Sequence, residues 1–400
     1  MADFSTSEKK ILKLIPPADP MRTCLANLRE AVEKIWAVET PRIVQGFTDH
    51  GIAHYERLAG YSVEILNANT GKKLSAEEAF LLLAGIYIHD IGMQCDVVKF
   101  PKIKEQAEKL GASFDVKEFT AANANDYSHS EQMDIRKNHH ILSIAWIDIA
   151  RSEASTPLSS AANGIPSNLV SDLKDVAVHH TKFPISDCPI EFRLDPTGRK
   201  RFVAAILRFA DELDIQNNRV IIETIDTFSF KRGNAVYWWL HQQTKITFPN
   251  KGFVRLLVTL HPDDHEEFSP IIQRLYIDEF RTKNLPVIST LNENLVSIFM
   301  DYESKVIDYE EAEKLPEEVQ KTLREMGGET SVSPLLDLST EIRLWLRAIK
   351  YEISDEKMVG SAVSEMTATI SAGTIKQSVL VQSVARKIEV SDVELSLIHI

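Results

Sequence analysis

Apolar positions in the first 220 residues recur at steps of three and four, the spacing of helices that bury one face. Leu25, Leu28, Val32 and Ile35 set that period within residues 1–40, and Pro41 breaks it. Between His50 and Asn67, Ile52, Leu58, Val63, Ile65 and Leu66 predict another helix. Ser75-Ala-Glu-Glu78 has the form of a capping box and opens a helix that runs to Asp90. Its stretch Ala79 to Ile88 is apolar on every side but shorter than the roughly 20 residues a membrane span needs, so it predicts a buried core helix. The polar segment Lys99 to Asp134 predicts one short helix between loops. Helical spacing then resumes at Ile135–Arg151, Asn168–His180 and Arg201–Leu213.

After Asn218 the period shortens. Val220–Phe230, Tyr237–Phe248 and Phe253–Leu260 are rich in β-branched and aromatic residues, and turn signals at Arg232-Gly-Asn and Pro249-Asn-Lys-Gly separate them. Three or four strands of an antiparallel sheet are expected, then two helices at about 264–284 and 289–307. A charged, then Gly-, Thr- and Ser-containing stretch at 314–334 reads as a linker to a helix at Thr340–Ile353 and a β-leaning tail. The expected fold is mainly α, with a small antiparallel β-sheet and C-terminal helices appended to a helical core. The segments are an N-terminal helical piece (1–40), the core (41–220), an α+β accessory region (221–313) and a small C-terminal region (335–400).

Composition narrows the partners more than the fold. A chain of 400 residues, 44% hydrophobic and 26% charged, is an ordinary globular protein too long for a single core. Its net charge of -13 repels long nucleic acids and anionic membranes, which favours a small phosphorylated ligand. Cys24, Cys95 and Cys188 are odd in number and widely spaced, which suits a reducing, cytoplasmic setting better than a disulfide framework. The polar N-terminal stretch has no apolar run of signal-peptide length. A homo-oligomer is compatible with all of this.

The histidines carry the chemistry. Eight of the twelve precede residue 181, and seven of those form four clusters: His50/His54, His89, His139/His140 and His179/His180. His50 and His54 share one helix face, His89-Asp90 offers a nitrogen and an oxygen from one place, and Asp211 adds a carboxylate able to bridge two cations. An imidazole and a carboxylate inside LLLAGIYIHDIG are costly unless something binds them. Mixed imidazole and carboxylate donors suit divalent transition metals (Mn, Fe, Co, Ni or Zn), and two such ions would activate a water and offset phosphoryl charge. The opposing reading is structural: His50 as a helix start, and one member of each adjacent pair as a core residue, since neighbours cannot share a helix face. Asp211 and Asp214 compete for one role, with Asp214 alternatively pairing on the surface with Arg208 or Arg219. Lys182, Arg136 and Arg208 are candidate phosphate contacts, each also readable as an ordinary ion-pair partner. Arg57 is similarly placed, and Trp238-Trp239 offers a stacking surface. His129, His241, His261, His265 and His399 read as exposed or structural.

The ordered set H-x3-H, HD, H, HH, D resembles the HD superfamily of phosphohydrolases, most closely its bimetallic HD-GYP-like branch. FTDHGIAHYERL and LLLAGIYIHDIGM also look like the HD-CE family of bacterial conflict and signalling proteins. The resemblance covers about residues 30 to 220. It implies an all-helical HD-type core, a nucleotide or related phosphoester substrate, and ligands at His54, His89, Asp90 and Asp211. His139, His179 and His180 match the bimetallic branch, whereas His50 stands where that branch often has a carboxylate. TKFPISDCPIEF lacks the Gly-Tyr-Pro element, so cyclic di-GMP hydrolysis is not implied. The expected activity is metal-dependent phosphoester hydrolysis by activated water, as a nucleotide phosphohydrolase or phosphodiesterase. Asp90 is then catalytic, and one of His139 and His180 serves as proton donor to the leaving group. The competing readings are a regulatory module that binds metal or nucleotide without turnover, and a nuclease acting on single strands.

Overall fold

The computed structural model describes residues 3–306, apart from 37–42, 45–49, 154–155, 217–239, 242, 261–268 and 270–271. The chain divides into two compact units. The first draws on Met1–Asp214, Phe248–Val254 and Lys283–Met300, the second on Ile215–Thr247, Arg255–Thr282 and the residues from Asp301 onward. The described part is mainly α with one small sheet.

The helices of the first unit are α1 (Thr6–Leu12), α2 (Pro20–Ile35), α3 (Ile52–Asn67), α4 (Ala76–Ile88), α5 (Pro101–Lys109), α6 (His129–Ser152), α7 (Ser159–Asn163), α8 (Val170–Val178) and α9 (Lys200–Glu212). The expected capping box is present: the Ser75 hydroxyl accepts from the Glu78 amide while the Glu78 carboxylate accepts from the Ser75 amide. Every residue of α4 from Glu78 to Ile88 is buried, as an all-apolar run requires. Helices α1, α2, α3, α8 and α9 pack around it. Gly85 permits the closest approach, because a Cβ there would lie 3.2 Å from both Leu207 on α9 and Val176 on α8. Glu78 also receives Arg199, the residue before α9, which donates to it through its backbone amide and two guanidinium nitrogens at 2.8–3.0 Å. The starts of α4 and α9 are thereby tied together.

The sheet has the order β1 (Thr244–Asn250), β2 (Phe253–Leu260), β3 (Phe299–Val306). A two-residue turn, Lys251-Gly252, joins β1 and β2, so the pair is antiparallel. Gly252 is required there on two counts: its φ is +74°, and a Cβ would lie 2.1 Å from the Ser297 carbonyl. Along β2, Val254, Leu256 and Val258 are buried in the alternation of a half-covered strand.

Two expectations change here. Helices at 264–284 and 289–307 are replaced by one helical run: a wide π-type turn at Gln273–Ile277 leads into α10 (Asp278–Glu293), and β3 follows. Asn292-Glu-Asn-Leu295 ends the helix, with Leu295 in the left-handed region at φ 63° and Val296 pairing with Asn69. The next apolar residues fit either period, and pairing with β2 decides for strand. The strand expected at Val220–Phe230, the Trp238-Trp239 pair, the linker and the C-terminal helix and tail lie outside the described residues.

Candidate metal centre

Each candidate ligand sits where a helix delivers it to the C-terminal end of α4. His54 lies in the first turn of α3, His89 caps α4, and Asp90 opens the 3₁₀ turn Ile91–Gln94. His139 projects from the middle of α6, His180 follows the end of α8, and Asp211 ends α9. Ser143 on α6 fixes the turn: its hydroxyl donates to the His89 carbonyl at 2.7 Å and accepts from the Gly92 amide at 2.9 Å. Gly92 makes this contact sterically possible, since a Cβ there would fall 2.0 Å from the His139 carbonyl oxygen.

Among the described residues two groups have ligand atoms all within 4.8 Å of one another: His54, His89, Asp90 and Asp211, and Asp90, His139 and His180. Asp90 belongs to both and divides its oxygens between them. Oδ2 lies 3.1 Å from His89 Nε2 and 3.8 Å from His54 Nε2, while Oδ1 lies 3.2 Å from His139 Nε2 and 3.3 Å from His180 Nε2. Asp211 Oδ1 completes the first group at 3.5 Å from His54 Nε2 and 3.8 Å from His89 Nε2.

The second nitrogen of every ring fixes the tautomer. Nδ1 of His89, His139 and His180 faces the carbonyl three residues earlier (Ile86, Arg136 and Ala177) at 2.9, 2.6 and 2.6 Å. A carbonyl only accepts, so these Nδ1 atoms carry hydrogen and the neutral rings turn Nε2 lone pairs inward. His54 Nδ1 faces Asp214 Oδ2 at 2.7 Å, with the same result. Nε2 atoms then meet at 3.3 Å (His54 and His89) and 3.1 Å (His139 and His180) beside two carboxylates. Converging lone pairs and anions call for a cation, and the donor set fits divalent transition metals.

Without an ion the centre draws in a proton instead, which marks it as a place that takes up positive charge. Burial alone would lower the pKa of His89, but Asp90 and Asp211 outweigh it and raise it to about 10. Burial opposes ionisation of Asp90 and Asp211 too, yet the surrounding imidazoles, His89 foremost, hold both well below the usual carboxylate range. His180 is pushed down, chiefly by burial.

The other candidates are placed differently. His50 is buried next to His54, ring centroids 5.6 Å apart, and stacks on Trp36, but lies outside both groups. His179 is also outside them, with Nδ1 facing the Asp175 carbonyl at 2.7 Å, and burial lowers its pKa. The rings of His140 and His179 both pack on Phe183. Arg208 donates to the Phe183 carbonyl at 2.6 Å, and its Nε is buried without a hydrogen-bond partner. The Lys182 amine donates to the Lys137 carbonyl, and burial, with Lys137 and Arg136 adding repulsion, lowers it to about 8. The Arg136 side chain is buried.

Of the two readings of Asp214, the pairing on the surface is overturned. The residue is fully buried, bound to His54, and held by Arg57 rather than Arg208: Arg57 Nε meets Oδ1 at 2.7 Å and Nη2 meets Oδ2 at 3.0 Å. Sequence reasoning missed its role, although its place one helical turn beyond Asp211, between Leu213 and Ile215, was the available signal.

A buried helix ending in a His-Asp pair, onto which neighbouring helices return imidazoles and a carboxylate, defines an HD-type domain. The HD-CE family model matches residues 44–278, well over half of the chain, and the protein belongs to the HD-CE family. No curated protein and no solved structure matches it. Family and cluster together fit a metal-dependent hydrolase. No helix among the described residues is long and apolar enough to cross a membrane.

Proposed function

We propose that this protein hydrolyses a phosphoester bond in a nucleotide, using two divalent transition-metal ions. The observation that carries the reading is Asp90, whose two carboxylate oxygens face separate ligand groups. His54, His89, Asp90 and Asp211 would hold one ion, and Asp90, His139 and His180 the other. Ions bound there supply an acidified water and offset charge on the phosphoryl oxygens. His139 and His180 are assigned to holding an ion rather than to proton donation, because Nδ1 of each is committed and Nε2 of each converges on Asp90. His50 and His179 are left out of the ligand set.

The chain's own cations supply the rest. Arg208 lies one turn before Asp211 on α9, and its buried Nε is a donor in need of an acceptor, which a phosphoryl oxygen would provide. Half-buried Lys182 and buried Arg136 are cations near one another, the kind of environment a polyphosphate would neutralise. The net charge of -13 makes a short nucleotide a better substrate than a long strand.

The test is product analysis. Metal-stripped full-length protein, reloaded with Mn²⁺, Co²⁺ or Zn²⁺, is incubated with deoxynucleoside triphosphates, cyclic nucleotides and single-stranded RNA and DNA. The expected result is metal-dependent hydrolysis of a nucleotide, lost in Asp90→Asn. Binding without turnover under every metal, or equal turnover in the variant, would overturn the proposal. Strand cleavage without nucleotide hydrolysis would overturn the substrate class.

A further inference from the structure

Of the four imidazoles that converge on the centre, His54 alone is backed by a carboxylate. His89, His139 and His180 donate from Nδ1 to backbone carbonyls, which are neutral acceptors. His54 donates to Asp214, a full negative charge at 2.7 Å with no solvent exposure. Arg57 grips both oxygens of Asp214, so the carboxylate cannot turn away from the ring, and its charge is compensated in the interior. A carboxylate behind a ligating imidazole pushes electron density towards the ligating nitrogen and fixes the direction of the ring.

We infer that Asp214 is a positioning residue that makes the two metal positions unequal. The group of His54, His89, Asp90 and Asp211 is the tight position, and the group of Asp90, His139 and His180 is the weaker, exchangeable one. Two observations point the same way. The first group has four ligands including two carboxylates, the second three ligands with only the shared Asp90. The Arg57–Asp214–His54 relay feeds the first group alone. One ion therefore stays resident while the other comes and goes with the free metal concentration.

The inference rests on the two-ion reading above, and the experiment separates the two. Metal-free full-length protein is titrated with Mn²⁺ by calorimetry, for the wild type and for Asp214→Asn, which keeps the shape and removes the charge. Two binding steps are expected in the wild type. In the variant the tight step should weaken by about 10–100-fold while the weak step holds, and Asp214→Glu should restore part of the loss. An unchanged tight step, or equal weakening of both steps at unchanged Tm, would overturn the inference. No Mn²⁺ binding by the wild type would sink the two-ion reading itself. If Asp214→Asn does not fold, the ¹⁵N resonances of His54 in the metal-free wild type decide: hydrogen on Nδ1 supports the relay, and hydrogen on Nε2 alone overturns it.

Discussion

Gly92 shows how much of the centre depends on a residue with no functional group. The 3₁₀ turn that carries Asp90 crosses α6 so closely that a single methyl would fall 2.0 Å from the His139 carbonyl. Gly92→Ala is therefore expected to push the turn off α6, costing about 3 kcal/mol, the upper end for overpacking. Thermal unfolding would read the loss, and bound metal should fall with it because Asp90 moves away from His139 and His180. A separate prediction concerns the thiols. Cys24, Cys95 and Cys188 are all buried, and burial raises Cys24 and Cys188 to about 12 and Cys95 further. The native protein should show almost no reaction with a thiol reagent at pH 8, and three thiols once denatured. At this scale the candidate ligands on α4 and α9 were legible as a cluster because their helices could be read from spacing and their chemistry is costly in an apolar frame. Asp214 was not, since its partner Arg57 lies 157 positions away and no local pattern joins them.

The tie between α4 and α9 belongs to the level of elements. Burial raises the pKa of Glu78, but hydrogen bonds from Arg199 and Ser75 outweigh it and hold the carboxyl below its ordinary value of 4.5. A depressed carboxylate contributes stability that is complete above pH 4.5 and is lost as the pH falls through the lowered value. Glu78→Gln should then cost about 3 kcal/mol at neutral pH, as for a broken buried pair, and the gap from wild type should close in acid. Denaturant unfolding at pH 7 and pH 3 would check both statements. Most helices up to α9 were readable from the apolar period and the Ser75 capping box, but α6 starts at His129, six residues before the expected Ile135, and the short α7 was not expected. The strand β3 was not readable: Leu295 to Met300 is apolar enough for either period, and only the partner β2 settles it.

For the whole molecule, the metal prediction is an energetic one. Any ion that binds only the folded chain stabilises it by mass action, about 2.7 kcal/mol at a hundredfold excess over Kd. Chelation should lower the Tm and Mn²⁺ restore it, whereas Asp90→Asn should be nearly insensitive to either. Net charge and cysteine spacing, read from the sequence, raise expectations about partners and setting but say nothing of how distant segments meet. That information resides in the packing around α4, and it has a bearing on biosynthesis. A helix apolar on all sides has no stable exposed form, and its covers come from both sides of it in sequence, α1 to α3 before it and α8 and α9 some 80 to 130 residues later. A nascent chain emerging from the ribosome must hold α4 half covered until residue 212 is out. On the two-ion reading, the ion held by His54, His89, Asp90 and Asp211 can be gripped only after that closure, since Asp211 lies on α9, so metal loading would follow the closing of the helices around α4 rather than start it.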